Sequence, residues 1–143
     1  MAAGLVALTG CGGGGAADPG AHAVLSHGSR ETTISVEIAD APAERERGLM
    51  GRTSLSADAG MVFVYPEDHV GPFWMKDTLI PLSIAFYSSD GRILEILDMK
   101  PCKADPCPLY DPGVAYRGAL EVNRGAFEGW GISTGDGLRI TSP

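Results

Sequence analysis

No block of basic residues interrupts this chain of 143 residues, and its charge leans the other way, with 18 Asp and Glu against 11 Lys and Arg. A formal charge of −7 offers no counterion-releasing face to a phosphate backbone, which argues against nucleic acid as a partner. Long apolar runs are missing too: the one at the N-terminus is about half the roughly 20 residues a membrane-spanning helix needs. Cysteine and histidine are scarce, three of each, so a four-ligand zinc centre is hard to assemble. No segment repeats at a fixed period, which sets aside solenoids and propellers. What the chain has in quantity is glycine (20) and proline (10), and beyond the first thirty residues these fall at short intervals, as turns between strands do. The length suits one globular domain, and the punctuation predicts a mostly β one.

The opening MAAGLVALTGC has the composition of the apolar end of a secretory signal, and Leu8-Thr9-Gly10-Cys11 resembles the lipobox of bacterial lipoproteins, whose cysteine is lipidated. No Lys or Arg precedes Arg30, so residues 1–11 read as a truncated signal that lacks its basic segment. The following GGGGAADPGAHA cannot pack a core. Residues 12–30 are therefore expected to be a flexible tether and residues 31–143 the globular domain. Several acyl chains on Cys11 would anchor stably where one would not. The expected location is the membrane surface, facing the periplasm or cell exterior. The expected partners are the membrane through the lipid, and a cell-wall glycan, a peptide or an envelope protein.

Cys102 and Cys107 lie in MKPCKADPCPLYDPG, a loop stiffened by four prolines. Closing so short a ring stabilises by about 2 kcal/mol on chain-entropy grounds, and an exported protein would keep the bond. Free thiols are the alternative. A metal is disfavoured, because His22 and His27 fall in the expected tether and only His69 remains.

Within the domain, ETTISVEIA alternates Ile34, Val36 and Ile38 against polar neighbours, the period of a half-buried strand. A short helix is expected over 42–50, capped by Asp40 with Pro42 in its first turn. MVFVY at 61–65 reads as a core strand, PEDHVGP as a loop, and FWMKDT as the next strand. LSIAFYSSDGRILEILDMK reads as a hairpin turning at Asp90-Gly91. Strands over 116–122 and 137–141 flank a short helical segment over 124–128, capped by Asn123. The order predicts an antiparallel-rich sandwich or partly closed barrel with two short helices.

Four blocks in that order resemble the domain of unknown function 192, a family of small, often exported bacterial and archaeal proteins. They are ERERGLMGR, AGMVFVY, FWMKDTLIPLSIAF and ALEVNRG, spread between about residues 33 and 141. Asp77 stands where that family often has Asn, and Ser83 where an acidic residue is common. The resemblance implies a mostly β fold and says little about activity.

The candidate pocket residues are Arg47, Met50, Arg52, Trp74, Met75, Lys76, Asp77 and Glu121. If residues 73–78 are a strand, Lys76 and Asp77 face opposite ways and need separate partners: Glu121 for Lys76, and Arg47 or Arg52 for Asp77. Trp74 would then be an aromatic platform for a sugar or peptide. These readings favour a binding or accessory module that needs no cofactor or metal. The rival is a small hydrolase-like envelope enzyme using Lys76, Asp77 and Glu121. A further alternative is copper(I) on Met50, Met61, Met75 and Met99, although thioethers are also ordinary core fillers. GISTG around Ser133 matches the nucleophile elbow in letters only, since no His follows it. Glu67, Asp68 and His69 form a small polar cluster just before the 73–78 segment.

Overall fold

A computed structural model describes residues 20–143 of the chain, so Cys11 and the first part of the expected tether lie outside the described residues. Nine strands and two short helices follow in order: β1 (His22–His27), β2 (Arg30–Ala39), α1 (Pro42–Arg47), β3 (Ala59–His69), β4 (Phe73–Trp74), β5 (Leu82–Tyr87), β6 (Ile93–Met99), β7 (Leu109–Tyr110), β8 (Tyr116–Asn123), α2 (Ala126–Gly129) and β9 (Gly137–Thr141). Seven form one sheet in the order β6-β5-β8-β3-β2-β1-β9, and β4 pairs with β7 in a separate ribbon. The large sheet curls into a half-barrel. Its far edges meet at one end, where Ile93 and Leu138 donate backbone hydrogen bonds to Asp136 and Gly91.

The partly closed, mostly β architecture is the one the turn spacing predicts, and the Asp90-Gly91 hairpin joins β5 to β6 in antiparallel register. One connection is different in kind. The β2 and β3 strands are parallel, which requires a crossover, and α1 with the loop after it makes that crossover over the sheet.

Several local expectations are corrected. Residues 22–30 are not tether: β1 lies between β2 and β9 and buries Ala23, Val24 and Leu25. The Gly/Ala-rich composition that precedes His22 masks a short apolar strand closed by a tight turn at Gly28-Ser29. PEDH continues β3 rather than forming a loop, with an irregularity between Val64 and His69 where Pro66 lacks an N–H to donate. The helix α1 stops at Arg47, not at 50. Its first turn is capped by the Glu44 carboxylate, which accepts from the backbone N–H groups of Asp40 (3.2 Å) and Ala41 (3.1 Å), rather than by the Asp40 side chain. Asn123 does not cap α2 either. Its amide donates to the Leu55 and Ser56 carbonyls and so pins the crossover loop to β8.

Both faces of the central strands are covered, which is why β5, with every residue buried, reads as a nearly continuous apolar run. Inside the curl, Ile34, Val36, Val62, Ala85, Leu120, Val122 and Leu138 pack with Phe127 from α2. On the outer face, Met61, Phe63, Leu82, Ile84, Phe86 and Ala119 pack beneath Leu49 and Met75. That outer cover is made of helix end, loop and the short β4–β7 ribbon, and it is not complete.

Candidate functional site

Alternation along β8 sends Leu120 inward and Glu121 outward. Register then sets Glu121 between Met61 on β3 and Ile84 on β5, two buried apolar neighbours. The residue is 5% exposed, and burial pushes its carboxyl up to about 8. No donor among the described residues hydrogen-bonds to it; burial is the only influence on its proton. A carboxyl so placed holds its proton at neutral pH and gives it up only to a compensating positive charge.

Glu121 forms the floor of a cleft of about 140 Å³. Phe63 and Tyr65 from β3, Leu49 and Met50 after α1, Pro72, Phe73 and Trp74 around β4, and Thr78 make its walls. The aromatic rings brace one another edge to face, with Phe63 and Phe73 centroids 5.0 Å apart and Phe73 and Phe86 5.6 Å apart. Outside them, His69 stacks on Tyr65 at 4.1 Å. Gly48 ends α1 with φ of +48°, and a Cβ there would press to 3.2 Å from the Phe63 ring. A glycine at this point therefore lets the chain turn down over the cleft without filling it.

Arg45, Glu46 and Arg47 stand at the rim. The Arg45 guanidinium is already engaged: it lies 4.9 Å from the centre of the Tyr65 ring and donates to the carbonyls of Val64 (2.9 Å) and Asp40. Arg47 is exposed and makes no ion pair among the described residues.

Of the eight residues expected in a pocket, the cleft gathers Arg47, Met50, Trp74 and Glu121, and the other four have different places. Lys76 does not pair with Glu121. Its Nζ is 2.8 Å from Asp105, whose hydrogen bond raises the Lys76 pKa, and 5.4 Å from the Trp74 ring centre. Arg52 makes a two-pronged ion pair with Glu37 on β2, at 2.9 and 2.6 Å. Asp77 meets neither arginine. The strand expected over 73–78 ends at Trp74, and Asp77 sits in the left-handed region, with φ of 54°, in a turn closed by Thr78 N–H to the Met75 carbonyl. Asp and Asn tolerate that conformation better than other side chains, which accounts for either occurring at this position. Met75 is buried at 1% exposure. Trp74 itself is 45% exposed, with one side on the cleft and Lys76 over its ring.

The Cys102–Cys107 disulfide forms, with Cα atoms 5.8 Å apart. Its loop is stitched to the 75–78 turn by Asp77 N–H to the Cys102 carbonyl (2.9 Å) and Cys102 N–H to the Met75 carbonyl (3.2 Å). It thereby presents Asp105 to Lys76. From the other side of the turn, the Asp77 carbonyl accepts from Gly51 N–H at 2.9 Å, tying the loop that carries Leu49 and Met50.

The remaining sequence candidates disperse. Met61, Met75 and Met99 are core residues at the outer face, and only Met50 reaches the cleft. Ser133 lies in a helix-to-strand turn, where its N–H donates to Asp136. Asp68 pairs with Arg117 at 3.1 Å. A wider depression of about 450 Å³ lies between the β5–β6 turn and β9, but its polar groups are surface residues of the turn and edge such as Ser88, Ser89 and Arg139. Sequence reasoning missed Phe63, Tyr65, Phe73 and Thr78 as site residues. The period-2 pattern of MVFVY does align Phe63 with Tyr65, but only the β3–β8 register brings that face to Glu121.

Comparison with known proteins agrees with this architecture. No curated protein matches the sequence. A solved structure of a candidate transcription regulator from Sinorhizobium meliloti 1021 is 33% identical, covers 88% of this chain and 97% of its own, and superposes with a TM-score of 0.80. A protein of unknown function from Novosphingobium aromaticivorans DSM 12444 is 29% identical over 82% of this chain and 83% of its own, with a TM-score of 0.76. The sequence profile of the family described as Uncharacterized ACR, domain of unknown function 192, matches residues 23–140, and the chain belongs to that family.

Proposed function

We propose that this protein is an exported, lipid-anchored binding module of the cell envelope whose ligand enters the cleft over Glu121. One observation carries the reading. A carboxyl group withdrawn from all but the cleft and given no protein hydrogen bond is costly to keep, and no group among the described residues uses this one. A site that keeps such a group gains from a ligand that supplies the donor. The aromatic walls and the opening beside Trp74 are what a small organic ligand needs. The rival enzyme loses support, because Lys76 and Asp77 are turned to structural duties away from Glu121.

The disulfide supports an oxidising compartment, and Cys11 is the lipidation site. The Sinorhizobium neighbour's description as a regulator does not turn this chain into a DNA reader, given its net charge of −7. A thermal-shift panel of cell-wall sugars, short peptides, amino acids and cuprous or divalent ions tests the reading. A ligand-dependent rise in Tm that disappears in Glu121→Gln supports it. Turnover of any panel compound that the same variant abolishes would make the protein an enzyme. Intact-mass measurement of the membrane-extracted chain tests the anchor, and an unmodified Cys11 would refute it.

A further inference from the structure

The cleft itself narrows the chemistry of what it holds. At about 140 Å³ it is a small cleft, suited to a compact ligand rather than to an extended chain. Inside, the one ionisable group that no partner satisfies is the Glu121 carboxyl, which lacks a donor. Phe63, Phe73 and the side of Trp74 that Lys76 leaves open add aromatic surface that attracts cations, while the Tyr65 ring is already taken by His69 and Arg45. Arg45 does not fill this need, since its guanidinium is held by the Asp40 and Val64 carbonyls and lies over the Tyr65 ring. At the mouth the sign reverses, because Arg47 is exposed and makes no ion pair among the described residues.

From this arrangement we propose that the cleft binds a small amino acid, with its ammonium group on Glu121 and its carboxylate toward Arg47. The proposal rests on the reading of the cleft as a ligand site and deepens it. A floor carboxyl that turns negative as an ammonium group docks, and a rim that carries Arg47, favour a zwitterion entering amine first. A ligand with two like charges satisfies only one end, and an uncharged ligand satisfies neither. The other titratable groups facing the site are Tyr65 from β3, whose pKa burial raises, and Glu46 beside Arg47 on α1. In the empty protein at neutral pH Glu121 holds a proton. Docking an ammonium ion expels it, so well below pH 8 binding releases close to one proton and tightens by close to tenfold per pH unit, and both effects fade as pH 8 is reached.

Calorimetry on the full chain in detergent, with L-alanine, D-alanine, n-propylamine, propionate and glycerol as probes, tests this. Each titration is run in two buffers of different ionisation enthalpy. The expected result is that alanine binds best and n-propylamine more weakly, with about one proton released at pH 6.5 in each case. Glu121→Gln should weaken both by more than about tenfold. Arg47→Ala should weaken alanine several-fold and leave n-propylamine unchanged, which keeps the test valid even if the Glu121 variant misfolds. Propionate or glycerol binding more tightly than n-propylamine, or alanine binding without proton release, would overturn the amino-acid assignment while leaving a binding module. If none of these probes binds and no sugar or peptide from the wider panel does either, the cleft is not a ligand site and both proposals fall.

Discussion

Leu120 and Glu121 are consecutive residues of one strand, both buried, and they belong to two different kinds of interior. Leu120 points into the curl, where it belongs to an apolar cluster built from strands at both ends of the sheet and from α2. Glu121 points to the outer face, which is covered by the end of α1, the short β4–β7 ribbon and loops that leave a gap. Strands can seal a face with a regular lattice of side chains, whereas loops have no period to match and leave room where backbone turns away. The cleft over Glu121 belongs to the face that is covered irregularly.

The contrast can be broken from either side. Leu120→Ala should be the most damaging change, destabilising by about 2–5 kcal/mol because a well-packed interior cannot collapse into the hole; urea denaturation measures it. Glu121→Gln should act in the opposite direction. The folded pKa of Glu121 lies above its unfolded value of 4.5, so the folded state binds a proton that the unfolded state releases, and wild-type stability falls as pH rises from about 4.5 to about 8. The Gln variant escapes that loss and should gain roughly 2–4 kcal/mol over wild type at pH 8, with the gap shrinking toward zero near pH 4. A variant no more stable at pH 8 than at pH 4, relative to wild type, would mean the carboxyl is not buried as described.

Smaller effects test the cover. Asp77→Ala should cost about 1–2 kcal/mol for placing an ordinary side chain at positive φ, while Asp77→Asn should be close to neutral. An equal loss in both would assign Asp77 an ionic role instead. Lys76→Ala should change the melting temperature and ligand binding little, since its partner Asp105 is exposed and solvent screens the pair.

Much of the fold was legible because its signals are local. Alternation at Ile34, Val36 and Ile38, the Asp90-Gly91 turn and the Cys102–Cys107 spacing each depend on a few adjacent residues, and each has its counterpart in the structure. Half of the site was legible for a weaker reason: Trp74, Glu121, Arg47 and Met50 stood out by residue type within the family blocks. Their grouping with Lys76 was wrong. That inference assumed a strand running to Thr78, whereas the chain turns at Asp77 and hands Lys76 to the disulfide loop, 29 positions away in sequence. The strand hidden in residues 22–27 failed for a related reason, because composition averaged over a glycine-rich stretch conceals a short apolar segment.

By itself, then, the sequence determined the β class, the turns, the bridge and the side of each strand on which a residue falls, all consequences of backbone period and steric preference over a few residues. Only the tertiary structure decided that Glu121 is buried without a donor, that Phe63, Tyr65 and Phe73 enclose it, and that Arg45 is engaged while Arg47 is not. Those facts depend on which strands lie side by side and on how a loop covers a sheet, and neither is encoded within any single stretch of chain.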